Sequence, residues 1–126
     1  MTKKLIVIMA NSDPNNAEEL RAPIFQASAA AALEYEVAVV FTAGAGRLMQ
    51  KGVPEMLAAE LGNSRTVYDF IKDANLAGVK FYCCSPNVES FDMTPDELIP
   101  ECSGIIGATQ LIEQIMEHDD VRVLSY

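Results

Sequence analysis

Leu5-Ile6-Val7-Ile8-Met9 is an unbroken apolar run, rich in β-branched residues and followed by the polar stretch Asn11-Ser12-Asp13-Pro14. A strand with one wet face alternates apolar and polar residues, whereas a strand covered on both faces reads as a continuous run. The run therefore predicts a central strand of an α/β sheet. Working outward, 11–16 forms a polar turn with Asp13 ahead of Pro14 as a helix start. A helix is expected over 16–33, made slim in its second half by Ala27 and Ala29 to Ala32, so that it can approach the sheet or a neighbouring subunit closely. A second strand spans 36–42, with Val37, Val39, Val40 and Phe41, and ends in Ala43-Gly44-Ala45-Gly46. Short helical turns are expected at 47–51 and 54–61. Val67, Phe70, Ile71 and Ala74 have helical spacing, which predicts a helix over 66–77 closed by Gly78. A third strand covers 79–83 and a loop 87–93. Thr94-Pro95-Asp96-Glu97 has the form of a helix start, with a capping Thr, Pro at the first position and Glu at the third. A strand at 104–107, a helix at 109–117 and a strand at 121–124 complete the chain. The alternation implies one domain over residues 1–126, with five mostly parallel strands, helices on both faces and right-handed crossovers.

Composition limits the function. The chain has 126 residues, half of them apolar, and a formal net charge of −9. That charge repels a phosphate backbone and an anionic membrane surface, so neither nucleic acid nor membrane is an expected partner. The apolar run after Lys3 and Lys4 is shorter than the roughly 7–15 residues of a signal-peptide core. No stretch approaches the roughly 20 apolar residues of a spanning helix. Three cysteines cannot all pair within one chain. Free thiols in a reducing cytoplasm are the expectation.

The chemistry concentrates in Gly78-Val79-Lys80-Phe81-Tyr82-Cys83-Cys84-Ser85-Pro86, where a buried strand runs out into a loop. Ligands of open parallel sheets gather just past the carboxyl ends of the strands. A thiol held there by a rigid element can meet solvent and act as a nucleophile. Strand alternation sends Cys83 and Cys84 to opposite faces, one toward a pocket and the other toward packing. A bond between them would be strained, because adjacent Cα atoms lie about 3.8 Å apart and disulfides span about 4.4–6.8 Å. Both can equally be small buried hydrophobes.

Other candidates are weaker. Cys102 could approach Cys84 as a resolving thiol or serve as a structural residue, and Glu101 beside it is expected to disfavour the thiolate. Cys83, Cys84, Cys102 and His118 lack zinc-ligand spacing, so no metal is expected, and His118 reads as the close of a helix. Gly44-Ala45-Gly46 with Arg47 suggests an anion near a helix start, but it lacks the third glycine of a dinucleotide fingerprint and the Gly-Lys-Ser/Thr of a P-loop. It reads better as a turn, as does 11–16. No cofactor is expected.

On these residues the chain resembles the DsrE/DsrF-like family of small sulfur-trafficking proteins. Phe41-Thr42-Ala43-Gly44-Ala45-Gly46-Arg47-Leu48-Met49-Gln50-Lys51 is similar to the family's strand end, glycine and following helix. Val79-Lys80-Phe81-Tyr82-Cys83-Cys84-Ser85 is similar to the Val-Lys-Ile-Tyr-Ala-Cys pattern of soluble DsrE-like relatives, with Cys84 on the family's cysteine and Cys83 in place of an alanine. Asp96-Glu97-Leu98-Ile99 and Gly104-Ile105-Ile106-Gly107-Ala108-Thr109 also fit. The resemblance implies a flavodoxin-like domain assembling into trimers or hexamers. It also implies carriage of sulfane sulfur, as a persulfide or a thiosulfonate, on Cys84. Partners would be a TusA-type carrier and rhodanese-type donors, with Cys83 auxiliary. Two alternatives stand beside this reading. One is a thiol redox enzyme or sensor pairing Cys84 with Cys102. The other is a non-catalytic binding or assembly module.

Overall fold

The apolar runs become strands of a single sheet. The computed structural model describes residues 3–10, 17–57, 65–90 and 92–126. Its strands are β1 (Lys4–Met9), β2 (Glu36–Phe41), β3 (Lys80–Cys84), β4 (Cys102–Ile106) and β5 (Val121–Ser125). They lie in the order β4-β3-β2-β1-β5, and every ladder is parallel. The helices are α1 (Ala17–Ala32), α2 (Val67–Leu76), α3 (Ser85–Ser90) and α4 (Ala108–Glu117).

Alternation along the strands builds two cores. Val7 and Met9 of β1, Val37, Val39 and Phe41 of β2, and Phe81 and Cys83 of β3 face one side. There they meet Leu20, Ile24 and Ala27 of α1 and Phe70, Ile71 and Ala74 of α2. Phe41 stacks on Phe81 with ring centroids 6.0 Å apart, and Phe25 meets Phe70 edge-on at 4.9 Å. Ile6, Val40 and Ile106 face the other side, where Leu111 and Ile115 of α4 cover them. The layering follows from crossover handedness. Passing from β1 to β2 to β3 steps across the sheet in one direction, which puts α1 and α2 on one face. The step from β4 back past β1 to β5 runs the opposite way, so α4 lands on the other face.

The alanines of α1 serve this packing. Ala27 is fully buried, and Ala30 and Ala31 press on the main core. The second face is thinner: Ile112 and Met116 of α4 and Val123 of β5 remain exposed.

The structure corrects several boundaries. The stretch expected as a loop from 87 begins as α3, which starts at Ser85 directly after the last residue of β3. Pro86 fits there because the first turn of a helix has no use for its missing N–H. Strand β4 starts at Cys102, two residues earlier than expected, so Cys102 belongs to the sheet. Residues 43–49 form one 3-10 helix, and Arg47 lies in its last turn rather than at a helix start. Pro95–Glu97 is only a 3-10 turn, although the Thr94 N–H does donate to Glu97 Oε1 at 3.2 Å. The expected turn and cap at 11–16 and the second half of the turn at 54–61 lie outside the described residues. No described helix is long and apolar enough to cross a membrane.

Candidate functional site

The carboxyl end of β3 separates the two adjacent thiols. Cys83 pairs in register with Phe41 on one side and Ile105 on the other, and its side chain is fully buried in the main core. Cys84 is half-buried and pairs with Ile106, a residue of the opposite core. Strand alternation thus divides them as the sequence suggests. Burial pushes the Cys83 thiol up to about 12, with further increments from Cys102 and Cys84. Cys83 is a protonated core residue in this state.

Cys84 lies where the sheet meets the start of a helix. The residue after its ladder partner Ile106 is Gly107, the N-cap of the ten-residue α4. A Cβ on Gly107 would come within 3.8 Å of Ser85 Oγ, so the amino end of α4 borders the turn after Cys84. The Gly107 N–H donates to Gln110 Oε1 at 3.0 Å. The positive end of a helix dipole favours negative charge beside it.

A second boundary of the site comes from the loop after β2. Asn87 of α3 is 4 % exposed, and its Nδ2 donates to the Ala43 carbonyl at 2.5 Å. Ala43 has φ +50, a left-handed conformation uncommon for a residue with a side chain. The Cys83 thiol points at the Gly46 carbonyl, 3.8 Å away. Asn87 was not among the residues singled out from the sequence, because its segment reads as a loop.

Cys102 lies on the Cys83 side of the sheet, packed against the main core. It therefore does not share a face with Cys84. A Cys84–Cys102 pair, the basis of the redox alternative, would have to reach through the sheet. The Cys102 thiol is raised, as expected, but the cause is burial and not Glu101. The Glu101 carboxylate instead accepts a hydrogen bond from the Tyr68 hydroxyl at 2.8 Å. The Cys102 thiol donates to the Gly104 carbonyl at 3.3 Å. His118 closes α4 and is exposed at the amino end of β1 and β5, far along the sheet from Cys84. Among the described residues no group of three or more His, Cys, Asp or Glu side chains is placed to hold a metal ion.

The model of the DsrE/DsrF-like family matches residues 4–123, almost the whole chain. The chain belongs to the DsrE/DsrF-like family. Several solved structures share its fold. The YchN protein of E. coli superposes with a TM-score of 0.72 at 19 % identity, covering 98 % of this chain and 100 % of that one. MTH1491 of Methanobacterium thermoautotrophicum, a protein of unknown function, gives 0.65 at 14 % identity, with all of both chains covered. No curated protein matches the sequence at a significant level. Membership in the DsrE/DsrF-like family connects the chain with sulfur metabolism in general.

Proposed function

We propose that the chain is a sulfur carrier and sulfurtransferase with Cys84 as the carrying thiol. The observation that supports this best is the contrast between the cysteines. Cys84 is part-exposed at the carboxyl edge of the sheet beside the amino end of α4. Cys83 is sealed in the core, and Cys102 is tied down on the opposite face. The Cys84 thiolate attacks the outer sulfur of a donor persulfide. The donor's S–S bond breaks, the donor thiolate leaves, and Cys84 becomes a persulfide. An acceptor thiolate then attacks that outer sulfur and Cys84 leaves as thiolate. Each step exchanges one S–S bond for another, so no external oxidant or reductant is required.

A rhodanese-type donor and a TusA-type acceptor are the partner classes of this reading. The reducing cytoplasm is its setting, and a homo-oligomer, trimer or hexamer, is its working form. The cargo is sulfane sulfur, or thiosulfonate where the donor is a polythionate. Cys83 takes an auxiliary part only when the loop over it opens.

The test is a transfer assay. The chain is loaded with polysulfide, desalted and mixed with a TusA-type protein, and both intact masses are followed. The expected result is loss of one sulfur from the chain and its gain by the acceptor. A loaded chain that releases its sulfur only to small-molecule reductants, with no gain by any acceptor thiol protein, would overturn the transferase reading.

A further inference from the structure

We infer that Asn87 is a positioning residue that latches the loop after β2 over Cys83, leaving Cys84 as the thiol that meets solvent. This rests on the reading of Cys84 as the carrier. Among the described residues Asn87 is the one buried polar side chain. It sits three residues after Cys84, on the helix into which the strand runs directly. Its amide reaches 44 residues back in sequence to the Ala43 carbonyl, at the start of the 3-10 segment. It also occupies the place a side chain would take at position 46: a Cβ on Gly46 would lie 2.3 Å from Asn87 Cγ. The carbonyl of that same Gly46 receives the Cys83 thiol. One amide thus bonds to the entry of the loop that lids Cys83 and packs closely against its middle.

A second observation separates this role from simple space-filling. Asn87 Oδ1 is buried and has no hydrogen-bond partner among the described residues. A buried acceptor without a donor is unfavourable, and an apolar side chain of similar volume would fill the space without that penalty. Packing therefore does not account for an amide here, whereas holding the strained Ala43 carbonyl does. With the latch closed, the buried neighbour cannot compete with Cys84 for a donor's sulfur. With it open, Cys83 is exposed to solvent on the face of the sheet opposite Cys84.

Site-resolved alkylation of the full chain with iodoacetamide, read by peptide mass spectrometry, tests the latch. In the wild type, Cys84 reacts in the native state. Cys83 reacts slowly through local opening, at a rate insensitive to low urea. In Asn87→Leu and Asn87→Ala the Cys83 rate rises by roughly tenfold or more while thermal unfolding stays cooperative. Gly46→Ala, whose Cβ displaces the amide, gives the same unmasking, and adding it to Asn87→Ala has little further effect. Unchanged Cys83 labelling in both Asn87 variants would overturn the latch. So would wild-type Cys83 labelling that shows the full urea dependence of global unfolding, a measurement that decides the matter even where the variants do not fold. Sulfur loading is scored separately. A chain that takes no sulfur from polysulfide but shows unmasked Cys83 in the variants refutes the carrier reading and keeps the latch.

Discussion

Two neighbouring thiols of the same chemistry differ here because a strand points alternate side chains to opposite faces. Cys83 inherits the dry side between Phe41, Phe81 and the 3-10 loop, and Cys84 the edge beside α4. The consequence for pH follows from the sign of the shift. The folded Cys83 thiol holds its proton up to about 12, whereas the unfolded thiol loses it near its ordinary value of 9.0. The folded state therefore binds more protons in that window. Its contribution is complete below the unfolded value and is lost as pH rises toward the folded one. Urea midpoints under reducing conditions should fall more steeply from pH 8 to 10.5 (about one to two units around the free thiol value) in the wild type than in Cys83→Ala. Equal slopes would contradict the burial argument. For the same reason Cys83→Ser is a poor conservative change, since a hydroxyl in this core costs about 1–3 kcal/mol where its hydrogen bonding is incomplete. Cys84→Ser, at a half-exposed edge, should change stability by less than about 1 kcal/mol. Chemical denaturation of the two variants separates these outcomes.

At the scale of elements, two helices end in the same way with different residues. After α2 the Val79 N–H bonds to the Ala74 carbonyl and the Gly78 N–H to that of Asn75, with Gly78 at φ +114. After α1 the Tyr35 N–H bonds to Ala30 and the Glu34 N–H to Ala31, with Glu34 at φ +69. Both are Schellman ends, and the left-handed residue prefers to be glycine. Glu34→Gly should therefore stabilise the chain by about 1 kcal/mol, and Gly78→Ala should destabilise it by about 1–2 kcal/mol. A fall in melting temperature for Glu34→Gly would contradict this. The start of α2 carries a reciprocal cap, in which the Asp69 N–H bonds to Thr66 Oγ1 at 3.3 Å and the Thr66 N–H to Asp69 Oδ2 at 2.9 Å. The Thr66 N–H holds the Asp69 carboxyl below its ordinary value. That stabilisation is present above the unfolded carboxylate pKa and is lost as pH falls through the folded one. Thr66→Ala keeps that N–H and should cost about 1 kcal/mol through the lost Oγ1 acceptor, whereas Asp69→Asn should remove the acid dependence, both read from urea midpoints at neutral and acid pH.

These ends show what was legible. Gly78 announces its turn because glycine is the ordinary answer to a left-handed residue, whereas Glu34 gives no such signal. The start of α3 was marked by Ser85-Pro86, but a six-residue helix is too short for apolar periodicity to betray it.

Over the whole molecule, the strands were legible because a sheet covered on both faces needs continuous apolar runs, and the split of Cys83 from Cys84 followed from the pleat alone. The position of Cys102 was not legible. Its strand begins three residues before the apolar pair Ile105-Ile106, and its face depends on a register shift opposite Phe81 and Tyr82. The Asn87 clasp was not legible either, since it joins residues far apart in sequence through one amide. The two faces of the sheet also differ in cover. The main core lies under two helices, while the α4 side leaves Ile112 at 56 % and Met116 at 75 % exposure. Apolar side chains clustered on one face are those that association removes from water. Light scattering should give a trimer or hexamer mass at micromolar concentration. Ile112→Glu with Met116→Glu should lower that mass while leaving the circular dichroism unchanged. A wild-type monomer would contradict the assembly.

The central claim is that Cys84 carries the sulfur. It is tested most directly by intact mass after incubation with polysulfide, comparing the wild type with Cys84→Ser, Cys83→Ala and Cys102→Ser. The account predicts that the wild type and Cys102→Ser gain the mass of bound sulfur, that Cys83→Ala gains it more weakly or equally, and that Cys84→Ser gains none while remaining folded. Loading of Cys84→Ser at the wild-type rate, with none on Cys83→Ala, would move the nucleophile into the core and contradict the account.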